Sequence, residues 1–446
     1  MRLSEFLKKI EEAGIVGAGG AGFPTHVKLN AKAEYVLVNG AECEPLLRVD
    51  QILLAKETDK ILEALSLAVK EVGAKEGVLA LKEKYKEAIR RLSERIGKYD
   101  NLRIHLLKNI YPAGDEHYIV HDVTGRIVPE GGIPLNVGCV VVNVETLLNI
   151  YHAVQGIPLT EKYMTITGDV RHPMTVKVPL GISVREAITL AGGTDLEEYK
   201  VIDGGPMMGK ILYSIDTPVK KTSKGYIVLP KDHGLITSKE KDITTELKET
   251  KTACCHCDLC TDVCPRYLLG HKLHPSKIMR MASYGSMGDR NAALDEAYLC
   301  CECGLCESAC IMNLQPWKVN IWLKQKLKEE GIANSNRRTE LTANPYLAVR
   351  GFPVKKLVYR LDLYKYDVEA PYTEVDYRPE EVSILCRQNI GAPAKAVVSE
   401  GEMVRKGDLI YGQDGNTMAV NMHATIDGVV RVNGNRIVIS RQKEEK

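Results

Sequence analysis

The stretches CCHCDLCTDVCP (254–265) and CCECGLCESAC (300–310) carry two runs of cysteines with one spacing. Both follow the pattern C-x2-C-x2-C-x3-C, and each has an extra cysteine directly after the first, namely Cys255 and Cys301. This is the ligand spacing of bacterial ferredoxins that hold two [4Fe-4S] clusters. The first run is followed by Pro265, as in those ferredoxins, whereas the second has Ile311 in that place. The spacing predicts a dicluster, electron-carrying domain.

In such runs, three thiolates spaced closely wrap one cluster and the fourth ligates the other cluster. We therefore expect one cluster on Cys254, Cys257, Cys260 and Cys310. The other cluster is expected on Cys300, Cys303, Cys306 and Cys264. The two extra cysteines are expected to be spare thiols that pack near the clusters.

Zinc and disulfides are the alternative uses of so many cysteines. Structural zinc sites use ligand pairs with longer gaps between the pairs. Disulfides need an oxidising compartment, and we see no secretory leader, because the opening MRLSEFLKKIEEAG has the pattern of an amphipathic helix. Both alternatives are less favoured than clusters in a cytoplasmic chain.

Composition limits the classes of function. A chain of 446 residues is long enough for about two to four domains. The net charge of +2, from 60 basic and 58 acidic residues, gives no indication of a nucleic acid partner or an anionic membrane. No apolar run approaches the ~18 residues of a membrane span, so we expect a soluble chain that could still dock on a membrane partner.

The pattern of strands and helices suggests several domains. Residues 1–158 read as α/β, with the short β-rich runs YVLVN (35–39), GVLAL (77–81) and RIHLL (103–107). A helix with an apolar face lies at 59–73, ending at Gly73, and a second spans about 82–96. This alternation predicts a parallel sheet with crossover helices.

The rest of the chain divides into four further parts. Residues 159–236 show the short strands and one helix of a small β-grasp-type module, and residues 237–335 hold the cysteine runs after a polar linker at 238–251. Residues 336–380 are expected to be a linker, and residues 381–446 an all-β module.

A glycine loop lies near the N-terminus, at GAGGAGFP (17–24). It contains a literal G-x-G-x-x-G, but it follows a helix rather than a strand and Pro24 comes two residues after the last glycine, which argues against a Rossmann motif. Four glycines in six residues leave backbone N–H groups free to approach a flat ring or a phosphate.

Together with VNGAECEP (38–45), the glycine loop resembles the FMN- and NADH-binding fold of the flavoprotein subunit of respiratory complex I. The chain resembles still more closely the RnfC subunit of Rnf complexes and the cobalamin reductases of propanediol-utilisation microcompartments. Further matching motifs are YPAGDE (111–116), NVETL (143–147), DGGPMMG (203–209) and the cysteine runs. The resemblance implies an FMN-binding α/β domain, an SLBB β-grasp module, an α-helical ferredoxin-like domain with two [4Fe-4S] clusters, and a barrel-sandwich module.

The resemblance also implies site residues. Gly19, Gly20, Gly22 and Lys28 are expected to face FMN, and Asn39 and Asn143 to hydrogen-bond to it. Phe23 is expected to pack on the nucleotide, and Glu44 and Glu116 to accept from NADH hydroxyl or amide groups, with Glu42 part of the same site. Plainer roles are open for two of them: a surface charge for Lys28 and a helix cap for Asn143.

The C-terminal part resembles biotinyl and lipoyl carriers in GEMVRKGDLI (401–410) and HATIDGVV (423–430). Such carriers need a lysine on a hairpin tip, and none occurs between Gly407 and Gln442. We therefore expect a docking or packing role for this module.

Together these features predict a cytoplasmic oxidoreductase that takes electrons from NADH through FMN and two [4Fe-4S] clusters to an acceptor. A corrinoid is the first candidate for the acceptor. The alternatives are an NADH-input subunit of another reductase complex (methylenetetrahydrofolate reductase, proline reductase or an Rnf-type complex) and a non-catalytic assembly protein. A protein complex is expected, and a bacterial microcompartment is one location that the resemblance suggests.

Overall fold

The computed structural model describes residues 3–284, 294–413, 415 and 418–442. The predicted outer limits of the first and last domains, residues 1 and 446, lie outside the described residues. Four units follow one another along the chain, and the segment before the last unit adds strands to the earlier ones.

The first unit is α/β, as predicted. Its elements are α1 Glu5–Glu12, α2 Thr25–Leu29, β1 Tyr35–Gly40, α3 Val49–Lys56, α4 Thr58–Val72, β2 Glu76–Lys82, α5 Lys86–Arg95, β3 Leu102–Leu107, β4 Ile110–Tyr111, α6 Glu116–Thr124, β5 Cys139–Asn143 and α7 Val144–Val154. The strands form a parallel sheet of order β3-β2-β1-β5. All three predicted strands are present.

Helix α4 shows why this sequence folds locally as predicted. Its apolar residues at 61, 62, 65, 69 and 72 are buried on one face. The helix ends at Gly73, whose left-handed φ of 69° closes the last turn at little strain. The second predicted helix is α5.

The second unit is a small mixed sheet with one helix. It consists of β6 Glu161–Gly168, β7 Met174–Pro179, α8 Val184–Leu190, β8 Tyr199–Asp203, β9 Lys210–Ile211 and β10 Gly225–Pro230. The strand order is β7-β6-β10-β8-β9. Its apolar face joins the core of the first unit, so the two pack as neighbours.

The third unit is helical and carries both cysteine runs. It contains α9 Gly234–Glu240, α10 Ile243–Ala253, α11 Leu259–Asp262, α12 Pro265–Leu268, α13 Pro275–Tyr284, α14 Leu305–Ala309 and α15 Pro316–Glu329. The polar stretch at 238–251, expected to be a linker, lies in α9 and α10. The reason is tertiary: Glu246 of α10 is buried and accepts from the Gln315 backbone N–H at 2.7 Å.

The segment 336–380, expected to be a linker, adds two strands to neighbouring units. It contains β11 Phe352–Pro353, α16 Val354–Arg360 and β12 Tyr372–Thr373. Strand β11 pairs with β4 and β12 pairs with β7. The segment therefore fastens the helical unit to the first two units.

The last unit is all-β. Its strands are β13 Glu381–Leu385, β14 Lys395–Ala396, β15 Met403–Val404, β16 Leu409–Gly412, β17 Met422–His423, β18 Gly428–Asn433 and β19 Arg436–Ser440. They form two sheets, β13-β19-β18-β15 and β14-β16-β17. The unit packs on the glycine loop, where the Ile390 backbone N–H donates to the Ala21 carbonyl O at 2.8 Å. The docking or packing role expected for this module stays a prediction.

No helix within the described ranges is long and apolar enough to cross a lipid bilayer.

Candidate functional site

Two predicted flavin ligands meet at the carboxyl edge of the parallel sheet. Asn39 is the last residue but one of β1, Asn143 ends β5, and the two residues are register partners. Ligands of parallel α/β sheets bind at this edge. The Asn39 side chain donates to the Gly114 carbonyl O at 2.8 Å, while its amide oxygen accepts from the Ala41 N–H at 3.2 Å. The Asn39 carboxamide is therefore held in a fixed orientation.

Asn143 does serve as a helix cap, which was the plainer of its two expected roles. Its side-chain oxygen accepts from the Glu145 backbone N–H at 3.0 Å at the start of α7. Its Nδ2 donates to Asp50 Oδ2 at 3.1 Å. The cap fixes the side chain at the sheet edge.

The glycine loop lies over this edge. A Cβ added to Gly19 would stand 4.0 Å from Asn143 Nδ2, and Gly20, with φ +69°, faces open space. A Cβ on Gly22 would approach Thr222 Cγ2 to 2.6 Å, so the far side of the loop is closed by the second unit. Phe23 follows with 38% of its surface exposed. The exposed glycine backbone thus forms a surface that a flat ring can approach.

Lys28 and Glu116 form an ion pair beside the loop. Lys28 Nζ lies 2.9 Å from Glu116 Oε1, and their side chains are 34% and 45% exposed. Partly exposed pairs of this kind contribute little to stability. The structure brings together one predicted flavin contact and one predicted nucleotide contact.

Glu42 is buried under the site. Its carboxylate accepts from the backbone N–H groups of Asp50 at 2.9 Å and Gln51 at 3.4 Å. Burial, and then the nearby Asp50 carboxylate, raise the pKa of Glu42 to about 7. Asp50 is in turn paired with Lys224 at 2.5 Å. Asp50 and Lys224 lie 174 positions apart and carry no local motif, so neither is predicted from the sequence.

Glu44 holds a loop of the second unit. Its carboxylate accepts from the backbone N–H groups of Met207 at 2.9 Å and Met208 at 2.8 Å. Burial raises its pKa, and these two hydrogen bonds oppose the rise. A Cβ on Gly205 would fall 2.1 Å from Glu44 Oε2, so this contact is tight. Each carboxylate oxygen keeps a further lone pair for a ligand.

Two further groups lie beneath the site: Lys82, which no motif marks, and Cys43, which lies inside the VNGAECEP motif. Lys82 ends β2 and is 1% exposed, and burial lowers its pKa to about 8. The nearby Cys43 thiol has its pKa raised to about 12, again mainly by burial. Both residues follow predicted strands, but no pattern in the sequence indicates that a lysine is buried here.

The first thiol set is an open one. Neighbouring thiols of Cys310, Cys254 and Cys257 act on Cys260, whose pKa rises to about 12 mainly through burial. A surface pocket is lined by these four residues and their neighbours. Cys257 is exposed, as is the extra Cys255. The structure thus gathers the four cysteines expected on one cluster, with Cys310 drawn from the second run.

The second thiol set is enclosed. Cys303 and Cys306 are 9% and 8% exposed, and Cys264 is 7% exposed. The thiol of Cys306 is affected by those of Cys300, Cys260 and Cys264, of which Cys260 belongs to the first set. The structure therefore also brings Cys264 of the first run to the second set, while the actual ligands stay a prediction. The extra Cys301 lies beside Cys303 and Arg266.

Within the part of the chain that the structure describes, no three His, Cys, Asp or Glu side chains are grouped to hold a single metal ion. The thiolates around a cubane cluster each bond to a different iron, so they stand further apart than the ligands of one ion.

The enclosed set adjoins the flavin side of the molecule. The Tyr111 hydroxyl, which comes from YPAGDE, donates to the Cys303 carbonyl O at 2.6 Å. The Met207 side chain lies 3.3 Å from where a Cβ of Gly304 would stand. Cys43, Tyr111, Met207 and Cys303 belong to one apolar cluster. A packed apolar path therefore connects Cys43, next to Glu44, to the second thiol set.

Four family models match consecutive parts of the chain. They are the Nuo51 FMN-binding domain at residues 10–152, the SLBB domain at 163–210, the 4Fe-4S dicluster domain at 253–315 and the RnfC barrel sandwich hybrid domain at 366–445. The predicted fold of every unit is confirmed. The domain limits proposed from the sequence stay predictions.

Cobalamin reductase PduS of Citrobacter freundii is 42% identical over 428 residues, which cover 95% of this chain and 93% of that protein. The chain belongs to the PduS family. Cobalamin reductase PduS of Salmonella typhimurium is 43% identical, with 96% of this chain and 94% of that protein covered. One component of the Na⁺-translocating ferredoxin:NAD⁺ oxidoreductase complex of Acetobacterium woodii is 38% identical over 58% of each chain.

The predicted class and cofactors are confirmed on this basis. The chain is an oxidoreductase of the flavo-iron-sulfur type, linked to NADH, and its cofactors are FMN and two [4Fe-4S] clusters. The residues fit these groups: an exposed glycine backbone over a sheet edge for the flavin, and two sets of four thiols for the clusters.

Proposed function

We propose that this protein oxidises NADH and delivers the electrons, one at a time, to a corrinoid. The observation that carries the proposal is the match to two cobalamin reductases over at least 95% of this chain. The match runs through both ends of the electron path, from the glycine loop to the second cysteine run. It therefore supports a common acceptor as well as common cofactors.

FMN supplies the exchange between a hydride and single electrons, and the clusters carry one electron each. The chain's own residues provide the geometry. Asn39 and Asn143 would hold the flavin at the sheet edge, under the backbone of the glycine loop. Lys28 would favour an anionic reduced ring, and its pairing with Glu116 fixes it at the rim of the loop.

NADH would enter at the exposed side of the loop. Phe23 offers an exposed ring for stacking, and Glu116 has a second carboxylate oxygen for a ribose hydroxyl. Glu44 would act from the buried side, through the lone pairs that the Met207 loop leaves free. These contacts are proposals for this chain, supported by the positions of the side chains.

The two thiol sets suggest a direction for electron flow. The enclosed set adjoins Tyr111 and Met207 on the flavin side. The other set has Cys257 at the surface. Electrons would thus enter through the enclosed cluster and leave through the open one, where an acceptor can approach.

The test is an anaerobic acceptor assay. Purified protein with bound FMN and about eight iron atoms per chain is mixed with NADH and aquacobalamin, and cobalamin reduction is followed by absorbance. We expect NADH to bleach the flavin and the corrinoid to be reduced. The Cys260→Ser variant should still be bleached by NADH but reduce the corrinoid far more slowly. Bleaching without corrinoid reduction in the wild type would overturn the corrinoid assignment.

A second function, electron input to a partner reductase, is favoured by one observation. Three apolar side chains lie exposed by the open thiol set: Leu259 at 36%, Ile311 at 61% and Met312 at 43%. Such a rim suits a protein partner more than a free small molecule. Co-purification of a folate or amino-acid reductase, together with NADH-dependent activity of that enzyme, would support it. A chain that NADH fails to bleach would instead be an assembly protein.

We also propose that the protein works away from the lipid bilayer, in the cytoplasm or inside a bacterial microcompartment. Cell fractionation tests this location.

A further inference from the structure

A buried ion pair joins the enclosed thiol set to the flavin domain. Arg266 lies in α12, two residues after Cys264, and only 7% of it is exposed. Its guanidinium donates two hydrogen bonds to Asp115, at 2.5 and 2.9 Å. Asp115 caps α6 and directly precedes Glu116. The pair therefore spans the boundary between the two cofactor sites.

The cation of this pair acts on the thiols. The charge of Arg266 acts on Cys301 and Cys264, and on Cys301 it outweighs the opposing effect of Asp115. The backbone amides of Tyr267 and Arg266 also favour the thiolate form of Cys264 and lower its pKa, against the larger effect of burial, which raises it. The positive end of the pair thus faces the enclosed set, and the negative end faces the flavin domain.

Two histidines beside the pair add no charge at neutral pH. Burial, and then the Arg266 cation, lower the pKa of His117 to about 3 and that of His271 to about 4. Arg266 is therefore the cation that the enclosed thiols experience from this side, and its burial leaves that charge little screened by solvent.

The open thiol set has an arginine in a different setting. Arg280 contacts Asp258 at 2.7 Å, but the two side chains are 40% and 53% exposed. Charges in water interact weakly with their surroundings. The molecule thus contains a matched pair of arginines, one buried and one solvated, next to the two thiol sets.

We propose that Arg266 is a positioning residue that raises the reduction potential of the cluster held by the enclosed thiols, and that Asp115 opposes it. One added electron makes a cluster with its four thiolates one unit more negative, and a buried cation stabilises that extra charge. This inference rests on the proposed ligand sets. It makes the cluster nearer the flavin easier for the flavin to reduce than it would be without the Arg266 charge.

The experiment is a redox titration of reconstituted protein, poised with dithionite and mediators without NADH and read by EPR. We expect Arg266→Gln to lower the midpoint potential of one cluster and Asp115→Asn to raise that of the same cluster. The asparagine in Asp115→Asn keeps the oxygen that caps α6, so this variant should fold even if Arg266→Gln does not. Arg266→Lys should shift the potential less than Arg266→Gln, and Arg280→Gln should leave both potentials unchanged.

Structural damage alone would not shift the midpoint potential in opposite directions in Arg266→Gln and Asp115→Asn. Unchanged potentials in both variants, or shifts of the same sign, would overturn the inference while leaving the proposed function intact. Failure of the wild type to bind two clusters would instead contradict the proposed function, and iron analysis before the titration separates the two cases.

Discussion

Glu44 Oε2 accepts a hydrogen bond from the Met207 backbone N–H at 2.9 Å, across 163 positions of sequence. The predicted nucleotide ligand is therefore also the residue that seats the DGGPMMG loop. The Met207 side chain extends from this loop toward the enclosed thiol set. One carboxylate thus supports both ends of the proposed path.

Removing this carboxylate should affect stability and NADH binding together. Glu44→Ala leaves the part-buried Met207 N–H without an acceptor, which costs on the order of 1–3 kcal/mol, whereas the exposed Met208 N–H can bond to water. We expect a lower Tm and a higher KM for NADH, with the flavin retained. Calorimetry and steady-state kinetics measure the two effects.

A matched variant separates the two roles of Glu44. Glu44→Gln keeps one acceptor for the loop, so it should lose less stability than Glu44→Ala while its KM for NADH still rises. An unchanged KM in both variants would exclude Glu44 from the nucleotide site.

Gly22 should tolerate alanine less well than Gly20. Both have a left-handed φ, near +70°, so both substitutions carry a backbone strain of about 1–2 kcal/mol. Only at Gly22 would the new Cβ also meet Thr222 Cγ2, at 2.6 Å. Gly22→Ala should lower the Tm of the flavin-free protein more than Gly20→Ala does. Equal losses would show that the loop is not closed against the second unit.

The fourth cysteine of each run should belong to the other run's cluster. Cys310→Ser should remove the same EPR signal as Cys257→Ser, and Cys264→Ser the same signal as Cys303→Ser, because the thiols are gathered in those sets. NADH should still bleach the flavin in all four variants. A signal that disappears with both Cys264→Ser and Cys257→Ser would mean that each run holds its own cluster.

Glu42 should make stability depend on pH. Its pKa is raised from 4.5 to about 7 in the folded protein, so the folded state binds more protons than the unfolded state between these values. Stability from this group is present at low pH and is lost as the pH rises to about 7. The loss is at most about 3 kcal/mol, by 1.36 kcal/mol per pKa unit.

Comparison with Glu42→Gln isolates this effect. The variant cannot ionise there, so its Tm should rise relative to the wild type as the pH goes from 5.5 to 8. A constant difference across that range would show that Glu42 ionises in the folded protein as readily as in the unfolded chain.

Features carried by short stretches of sequence were predicted well. The cysteine spacing could be interpreted from a short stretch of sequence, because three ligands of one cluster fit in one tight loop. The strand β1 and the helix α4 follow from their apolar periods and from the Gly73 stop. The position of the glycine loop after a helix was also predicted, because the apolar residues before the loop have a helical period.

Contacts that join distant residues could not be predicted. The hydrogen bond from Tyr111 to Cys303 spans 192 positions, and the Arg266–Asp115 pair spans 151. In the sequence, the buried Lys82 cannot be distinguished from an exposed lysine at the end of a strand. Such interactions depend on how whole units pack, and a single sequence gives no pattern that fixes that packing.

Anaerobic addition of NADH to purified protein, followed at once by flavin absorbance and by EPR of the frozen sample, tests the electron path from one end to the other. We predict that the flavin is bleached and that signals of reduced [4Fe-4S] clusters develop, in protein with about eight irons per chain. Zinc in place of iron, or clusters that dithionite reduces but NADH does not, would contradict the proposed path.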